Sequence, residues 1–346
     1  MRSLNLPTID ARFDERNNGV TALRFLLAAS VLLFHAWPVG GFGPDPVETL
    51  TAGQVDGGGI LAVFAFFTLS GFLLGASRDR LSPAAFAWRR ALRILPGYWV
   101  CILATSLFVG PAYFAATWLI SDGIDELTTP ALSGPMSVIN VSLWTLWPEV
   151  ICYAILTAIP RAISRIAAPA LVVLGIGLYL LTQRIEALLL ISFYLGVAIR
   201  HHGQRVPLHG AMAGGLILVA ALASALGLFT EAAPFVIGYA AIWLAVRLPW
   251  RWTTDVSYGL YIYAFPISQA LVVLGFAGLG LPAFAAACLA STLLVASVSW
   301  YVVERPALEL KRAWPLGRWR APAPLAPDSV AIAPESEGEL IPATPQ

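Results

Sequence analysis

The sequence predicts an all-α integral membrane protein with about ten transmembrane helices and both termini in the cytoplasm. Three observations carry this: the composition, a succession of apolar runs of spanning length, and the one-sided placement of basic residues. Of 346 residues, 58% are hydrophobic and 12% charged, with a mean hydropathy of +0.75. Soluble domains carry about 25% charged residues, so a water-soluble fold is excluded.

The apolar runs fall at about 20–38, 58–76, 94–114, 138–159, 166–182, 187–200, 208–229, 232–247, 256–278 and 282–303. A helix crossing a hydrocarbon core of about 30 Å needs about 20 residues. The fifth, sixth and eighth runs are short, and the sixth is open to a tilted or partly re-entrant path. Residues 1–312 are therefore read as one membrane domain. Residues 313–346 turn rich in Pro, Ala and acids without periodicity, which predicts a disordered cytoplasmic tail. The opening MRSLNLPTIDARFDERNNG is polar and lacks an apolar signal region, so the first run is expected to act as its own insertion signal.

With an inside N-terminus, 19 of the 21 Lys and Arg residues fall in inside segments, leaving Arg184 outside and Arg24 at the edge of the first run. Lys and Arg are retained on the cytoplasmic side. The outside loops instead carry Asp45, Glu48, Asp56, Asp122, Asp125, Glu126, Glu186 and Glu231. One missed run would invert every later loop, so this alternation supports the number of runs as well as their orientation. Cys101, Cys152 and Cys288 stand singly in apolar stretches without ligand spacing, and read as small apolar residues. No metal is expected.

The informative residues are ionisable groups at membrane depth, since each costs about 2.5–3.5 kcal/mol at a helix centre on insertion scales. They are Arg24, His35 and Glu149. Arg24 and His35 share the run TALRFLLAASVLLFHAW, eleven residues apart. That spacing puts them within about 20° of one helix face and about 17 Å apart along it. Each alone fits an interfacial role, Arg24 snorkelling inward and His35 sitting at the outer headgroups. Their shared face favours a joint role, with neutral His as a general base for a hydroxyl.

The stretch AFAWRRALRILPGYW concentrates Arg89, Arg90 and Arg93 at the start of the third run. A positive-inside anchor accounts for such a cluster. Arg90 and Arg93, three apart, also lie on one helix face, where two guanidinium forks suit a phosphorylated ligand. Glu149, in NVSLWTLWPEVICY, falls near the middle of the fourth run. Pro148 beside it is expected to kink or break the helix and open it to a cavity. Ser70 and Gly71, in FFTLSGFLLG, suit close helix packing, and Tyr258, Tyr261 and Tyr263 suit an interfacial belt.

In order, LRFLLAASVLLFHAW, FFTLSGFLL, RRALRILPGYW, NVSLWTLWPEVICY, DVSYGLYIYAFPI and YVVERP resemble the membrane-bound acyltransferase 3 family, over roughly residues 19–306. The resemblance implies an O-acyltransferase of the bacterial inner membrane that moves an acyl group, usually acetyl, from cytosolic acyl-CoA. The acceptor it implies is a hydroxyl of a glycan or lipid-linked saccharide at the outer face. It further implies His35 as catalytic base with Arg24 and Glu149 at the site, and Arg89, Arg90, Arg93, Ser70 and Gly71 towards the CoA. Trp144, Tyr258 and Tyr261 are implied as substrate contacts. Ala264 stands where many relatives carry His, and Trp147-Pro148 departs from the usual residues ahead of the Glu. The appended extracytoplasmic domain of some relatives is not expected here.

Two other classes compete with this reading: a transporter or flippase of lipid-linked saccharides, and a catalytically silent assembly factor. A transporter would place further ionisable residues on the middle and late runs, which hold almost none. Membrane lipids and the saccharide acceptor are the expected partners, and nucleic acid is not.

Overall fold

Apolar helices of this protein pack around the one that follows the first acidic loop. The computed structural model describes residues 8–14, 18–109, 140–207, 209–248, 250, 252 and 254–312, and among these there is no β-strand. The main helices are α1 Val20–Val39, α2 Gly59–Arg80, α3 Pro83–Ala104, α4 Leu146–Ala158 and α5 Ser164–Thr182. They continue with α6 Ile185–His201, α7 Gly210–Ala225, α8 Phe229–Arg247, α9 Ser257–Val273 and α10 Leu281–Ser299. Each overlaps one of the apolar runs. The far end of the third run, the acidic residues Asp122, Asp125 and Glu126, and the 313–346 tail lie outside the described residues.

Among the described residues, six helical stretches are long and apolar enough to cross a membrane, namely those containing α1, α2, α4, α5, α8 and α10. Helix α3 has the length, but its first half carries Arg89, Arg90 and Arg93. Helix α2 is 67% buried over its most apolar window, against 22% for the stretches containing α5 and α10. It is therefore central and they are peripheral. The outward faces of the peripheral helices are apolar: Leu174, Leu180 and Leu181 on α5, Ile217 and Leu218 on α7, and Leu294 and Val298 on α10 are all exposed. Such a surface suits lipid, where packing between helices relies on close backbone approach. Between α2 and α6 that approach is set by two glycines. A Cβ on Gly71 would run into the Phe193 carbonyl, and one on Gly196 into the Thr68 carbonyl.

Prolines inside helices release carbonyls that must find donors in an apolar surround. Pro266 in α9 frees the Ile262 oxygen, which accepts from Asn140 Nδ2 at 2.8 Å and Cys101 Sγ at 3.2 Å. Pro169 in α5 frees the Arg165 oxygen, which lies 3.1 Å from His202 Nε2. Arg78 turns inward to donate to the Leu81, Thr157 and Ile159 carbonyls, thereby capping the C-terminal end of α4.

Two expectations need correction. The loop between the second and third runs shrinks to Leu81 and Ser82, because α2 continues to Arg80 and α3 begins at Pro83. Ser82 Oγ accepts from the Ala85 amide at 3.2 Å and Pro83 takes the first helical position, where a missing N–H costs nothing. Arg89, Arg90 and Arg93 thus sit well inside a helix. Pro148 does not kink α4 midway either. It lies in the first turn, after the 3-10 segment Val141–Thr145, so Glu149 occupies the positive end of the helix dipole.

Candidate active site

Two of the cavities among the described residues lie at opposite ends of α1. The first, about 100 Å³, is lined by Arg24 of α1, Ser70 of α2, Arg90 and Arg93 of α3, Glu149 and Tyr153 of α4, and Tyr258 and Tyr261 of α9. The second, about 540 Å³, is lined by His35, Glu48, Gln54, Asp56, Trp144 and Tyr261 among others. Eleven residues of α1 separate Arg24 from His35, a rise of about 17 Å. The shared face expected from the spacing is thus one that turns Arg24 into the basic cavity and His35 into the acidic one.

In the basic cavity the three arginines differ in what holds them. Arg93 Nη2 donates to Asp255 Oδ2 at 2.7 Å, its Nη1 lies 3.7 Å from Glu304 Oε2, and its guanidinium stacks on the Tyr258 and Trp300 rings. Arg24 Nη1 approaches the same Asp255 oxygen at 3.7 Å. Asp255 lies just ahead of α9 and also accepts from the Ser257 hydroxyl. Burial by itself would raise the Asp255 carboxyl, yet Arg24, Arg93 and the Ser257 hydrogen bonds outweigh it and hold the group at about 2. Arg90 lies against the Phe86 ring, and among the described residues it has no ion pair; its Nε is buried without a partner. It is the cation of the cavity left available to an anion. Opposite it, Tyr153 donates a short hydrogen bond to Glu149 Oε1, one turn back on α4.

In the acidic cavity, His35 Nδ1 lies 2.7 Å from the Val31 carbonyl. A carbonyl only accepts, so Nδ1 carries the proton and Nε2 keeps its lone pair. The ring packs edge-on against Phe265. The loop from α1 to α2 walls this cavity and is closed by its own polar groups. Asp45 Oδ1 accepts from the Val47 and Glu48 amides at 2.7 and 3.0 Å, and Oδ2 from Gly58 at 2.7 Å. Gln54 ties the loop to the α7–α8 corner, donating to the Ser224 carbonyl at 3.0 Å and accepting from the Phe229 amide at 3.2 Å.

Of the residues singled out from sequence, Arg24, Ser70, Arg90, Arg93, Glu149 and Tyr258 line the basic cavity, His35 and Trp144 the acidic one, and Tyr261 both. Two lie elsewhere. Arg89 is on the exposed face of α3, since it neighbours Arg90 in sequence and so points about 100° away. Gly71 faces Phe193 in the α2–α6 contact and touches neither cavity. Sequence reasoning missed Asp255, Tyr153 and Glu304. All three sit inside the recognised stretches DVSYGLYIYAFPI, NVSLWTLWPEVICY and YVVERP, but only packing shows that they converge on the arginines.

A bundle of apolar helices with an arginine-lined cavity at one end of α1 and a histidine-bearing one at the other has the make-up of a membrane group-transfer enzyme. The chain belongs to the acyltransferase 3 family: the acyltransferase-domain model of that family matches residues 17–301. The chain is also 26% identical over 333 residues to an O-acetyl transferase of Shigella phage Sf6, across 84% of this chain and 96% of the relative. No solved structure matches it. The protein is thus an acyltransferase of the membrane.

Proposed function

We propose that the protein is an O-acetyltransferase that takes acetyl from acetyl-CoA at its arginine-rich end and delivers it to a saccharide hydroxyl at its acidic end. The observation that carries this reading is that the basic cavity, holding an unpaired Arg90, and the cavity holding His35 meet at Val63 and Tyr261. The first suits the thioester arm of a phosphorylated donor, with Arg90 on a phosphate and the nucleotide outside, and the second suits a hydroxyl acceptor. The name of the phage relative supports acetyl as the group and oxygen as its destination.

On this reading Arg90 binds a CoA phosphate, with Arg24 beside it and Ser70 and Glu149 along the path of the thioester arm. Trp144 and Tyr261 contact the acceptor. His35 Nε2 removes the acceptor proton as the hydroxyl oxygen attacks the thioester carbonyl. The carbon–sulfur bond breaks, and the thiolate leaves with a proton returned through the imidazole. The distribution of basic residues supports ten crossings with both termini and the arginine-lined cavity on the cytoplasmic side of a bacterial inner membrane. Residues 1–312 then form the catalytic domain and 313–346 a cytoplasmic tail.

The test is to incubate detergent-purified protein with acetyl-labelled CoA and a crude lipid-linked saccharide extract, following CoA release and label transfer together. Release and transfer in equal amounts is the expected result. Binding or movement of saccharide without CoA release would favour the transporter class instead.

A further inference from the structure

Val63 of α2 and Tyr261 of α9 are the two residues that line both cavities. The Tyr261 hydroxyl lies 2.6 Å from the hydroxyl of Thr145, which lines the basic cavity, and the ring packs against Phe66. Both partners are held in place by the backbone. Thr145 ends the 3-10 segment Val141–Thr145, and the residue ahead of that segment, Asn140, is anchored to the Ile262 carbonyl, next to Tyr261 in sequence. The anchor exists because Pro266 leaves that carbonyl free. The hydroxyl pair therefore closes across a fixed frame, and what joins its two sides is one neutral hydrogen bond between side chains.

We propose that Tyr261, with Thr145 and Val63, forms a septum that parts the donor cavity from the acceptor cavity, admits only a short acyl thioester, and keeps acceptor-side water off it. The proposal rests on the donor assignment made above and adds to it which residues set acyl length and prevent hydrolysis. The argument is one of size and wetting. The basic cavity is about 100 Å³, room for the end of a thioester arm but not for a nucleotide or a long chain. The acidic cavity is about 540 Å³ and lined by Glu48, Gln54 and Asp56, a polar and roomy space of the kind that holds water. A thioester exposed to that water beside a base such as His35 is hydrolysed: water loses a proton to Nε2, its oxygen bonds to the acyl carbon, the carbon–sulfur bond breaks, and the proton passes to the thiolate. The products are free carboxylic acid and CoA. A septum that opens for the acyl group and is otherwise closed suppresses this loss.

The experiment uses the full chain in detergent without any saccharide acceptor, measuring free CoA thiol from acetyl-, butyryl- and octanoyl-CoA. Thermal stabilisation by acetyl-CoA is read on the same samples. Wild type is expected to be stabilised by acetyl-CoA and to release CoA slowly. Tyr261→Ala is expected to keep the stabilisation, release CoA several-fold faster and extend turnover to octanoyl-CoA. Adding His35→Ala to it should return release to the wild-type level. Tyr261→Leu carries the same expectation and replaces Tyr261→Ala should that variant fail to fold. Tyr261→Phe, which keeps the ring and loses the hydrogen bond, should fall between wild type and Tyr261→Ala. The septum is overturned if Tyr261→Ala or Tyr261→Leu is stabilised by acetyl-CoA as wild type is, yet hydrolyses no faster and keeps the wild-type chain-length profile. A wild type that acetyl-CoA does not stabilise is a different failure: it removes the donor assignment, and the septum's role with it.

Discussion

Arg93 donates to Asp255 at 2.7 Å across 162 residues of sequence, joining the third helix to the turn that starts the ninth. With Glu304 on its other side, Arg93 is fully committed to protein carboxylates, while Arg90, one turn away, is not. Two arginines that look equivalent in sequence therefore separate into a structural cation and a ligand-binding one. Arg90→Gln should weaken acetyl-CoA binding by roughly 10- to 100-fold, the loss of one charge-assisted contact of about 1.5–3 kcal/mol, with little change in the melting temperature of the free protein. Arg93→Gln should lower that melting temperature, because it takes from Asp255 the closer of its two arginines and from Glu304 its ion-pair partner, and Arg89→Gln should change neither. Equal effects of Arg89→Gln and Arg90→Gln on donor binding would return the cluster to a plain membrane anchor.

Asp255 should behave as a clamp for both Arg24 and Arg93. Its carboxyl is held at about 2, below the ordinary value of about 3.9. Its contribution is thus fully present above about pH 4 and is lost as the pH falls through the folded value. Breaking a buried pair costs about 3–5 kcal/mol; the 21% exposure of the Asp255 side chain places Asp255→Asn nearer about 2 kcal/mol, by solvent screening. Melting curves from pH 7 downwards should show wild type and Asp255→Asn well apart at neutral pH and converging as the pH nears about 2. A gap that stays constant over the whole range would show that the charge of Asp255 is not what stabilises.

Gly71 tests the separation of packing from ligand binding. A methyl group there meets the Phe193 carbonyl, and overpacking of this kind costs about 1–3 kcal/mol. Gly71→Ala should therefore lower the melting temperature while the folded fraction binds acetyl-CoA with unchanged affinity. An affinity loss at unchanged stability would put Gly71 back beside the donor.

The existence of the helices was legible because membrane insertion writes hydropathy and charge directly into the chain: each of α1 to α10 overlaps one of the ten apolar runs. The helix ends were less so. Ser82 capping and Pro83 carry α3 out past its apolar part, where propensity and capping decide and hydropathy is silent. The facing of Arg24 and His35 followed from helical arithmetic alone, since both lie on one unbroken helix. The division of labour between Arg90 and Arg93 did not, because it depends on Asp255 and Glu304, brought in from far along the sequence by tertiary packing. Tyr261 read equally well as a member of an interfacial belt, and only the two cavities meeting at its ring distinguish it from Tyr263, whose hydroxyl lies 3.3 Å from Ser299.

His35 carries the proposed proton transfer, with Nδ1 fixed on Val31 and Nε2 available. General base catalysis contributes about 100- to 10,000-fold, so His35→Ala should bring acetyl transfer to background while expression, membrane insertion and stabilisation by acetyl-CoA persist. Near-wild-type transfer by this variant would remove His35 from the chemistry.

Sidedness gives the last prediction, and it joins the charge count to the helix geometry. Because 19 of 21 basic residues fall on one side of the ten-run reading, the Arg90 cavity should face the cytoplasm, with His35 about 17 Å nearer the opposite face along α1. The three native cysteines are buried, so single introduced cysteines can report on exposure with little background. Asp45 is unsuited to this use, because its carboxylate holds the α1–α2 loop together; Leu50, 83% exposed on the same loop, is the better site. Leu50→Cys should react with an impermeant maleimide added to intact cells, and Arg205→Cys, exposed on the basic side, should react only after the membrane is opened. In sealed oriented vesicles, acetyl-CoA should be consumed only from the Arg205 side, with acetylated acceptor appearing on the Leu50 side. Labelling of both cysteines from the same side would overturn the topology; correct labelling with donor and acceptor both used from the Arg205 side would leave the enzyme an acyltransferase but not a transmembrane one.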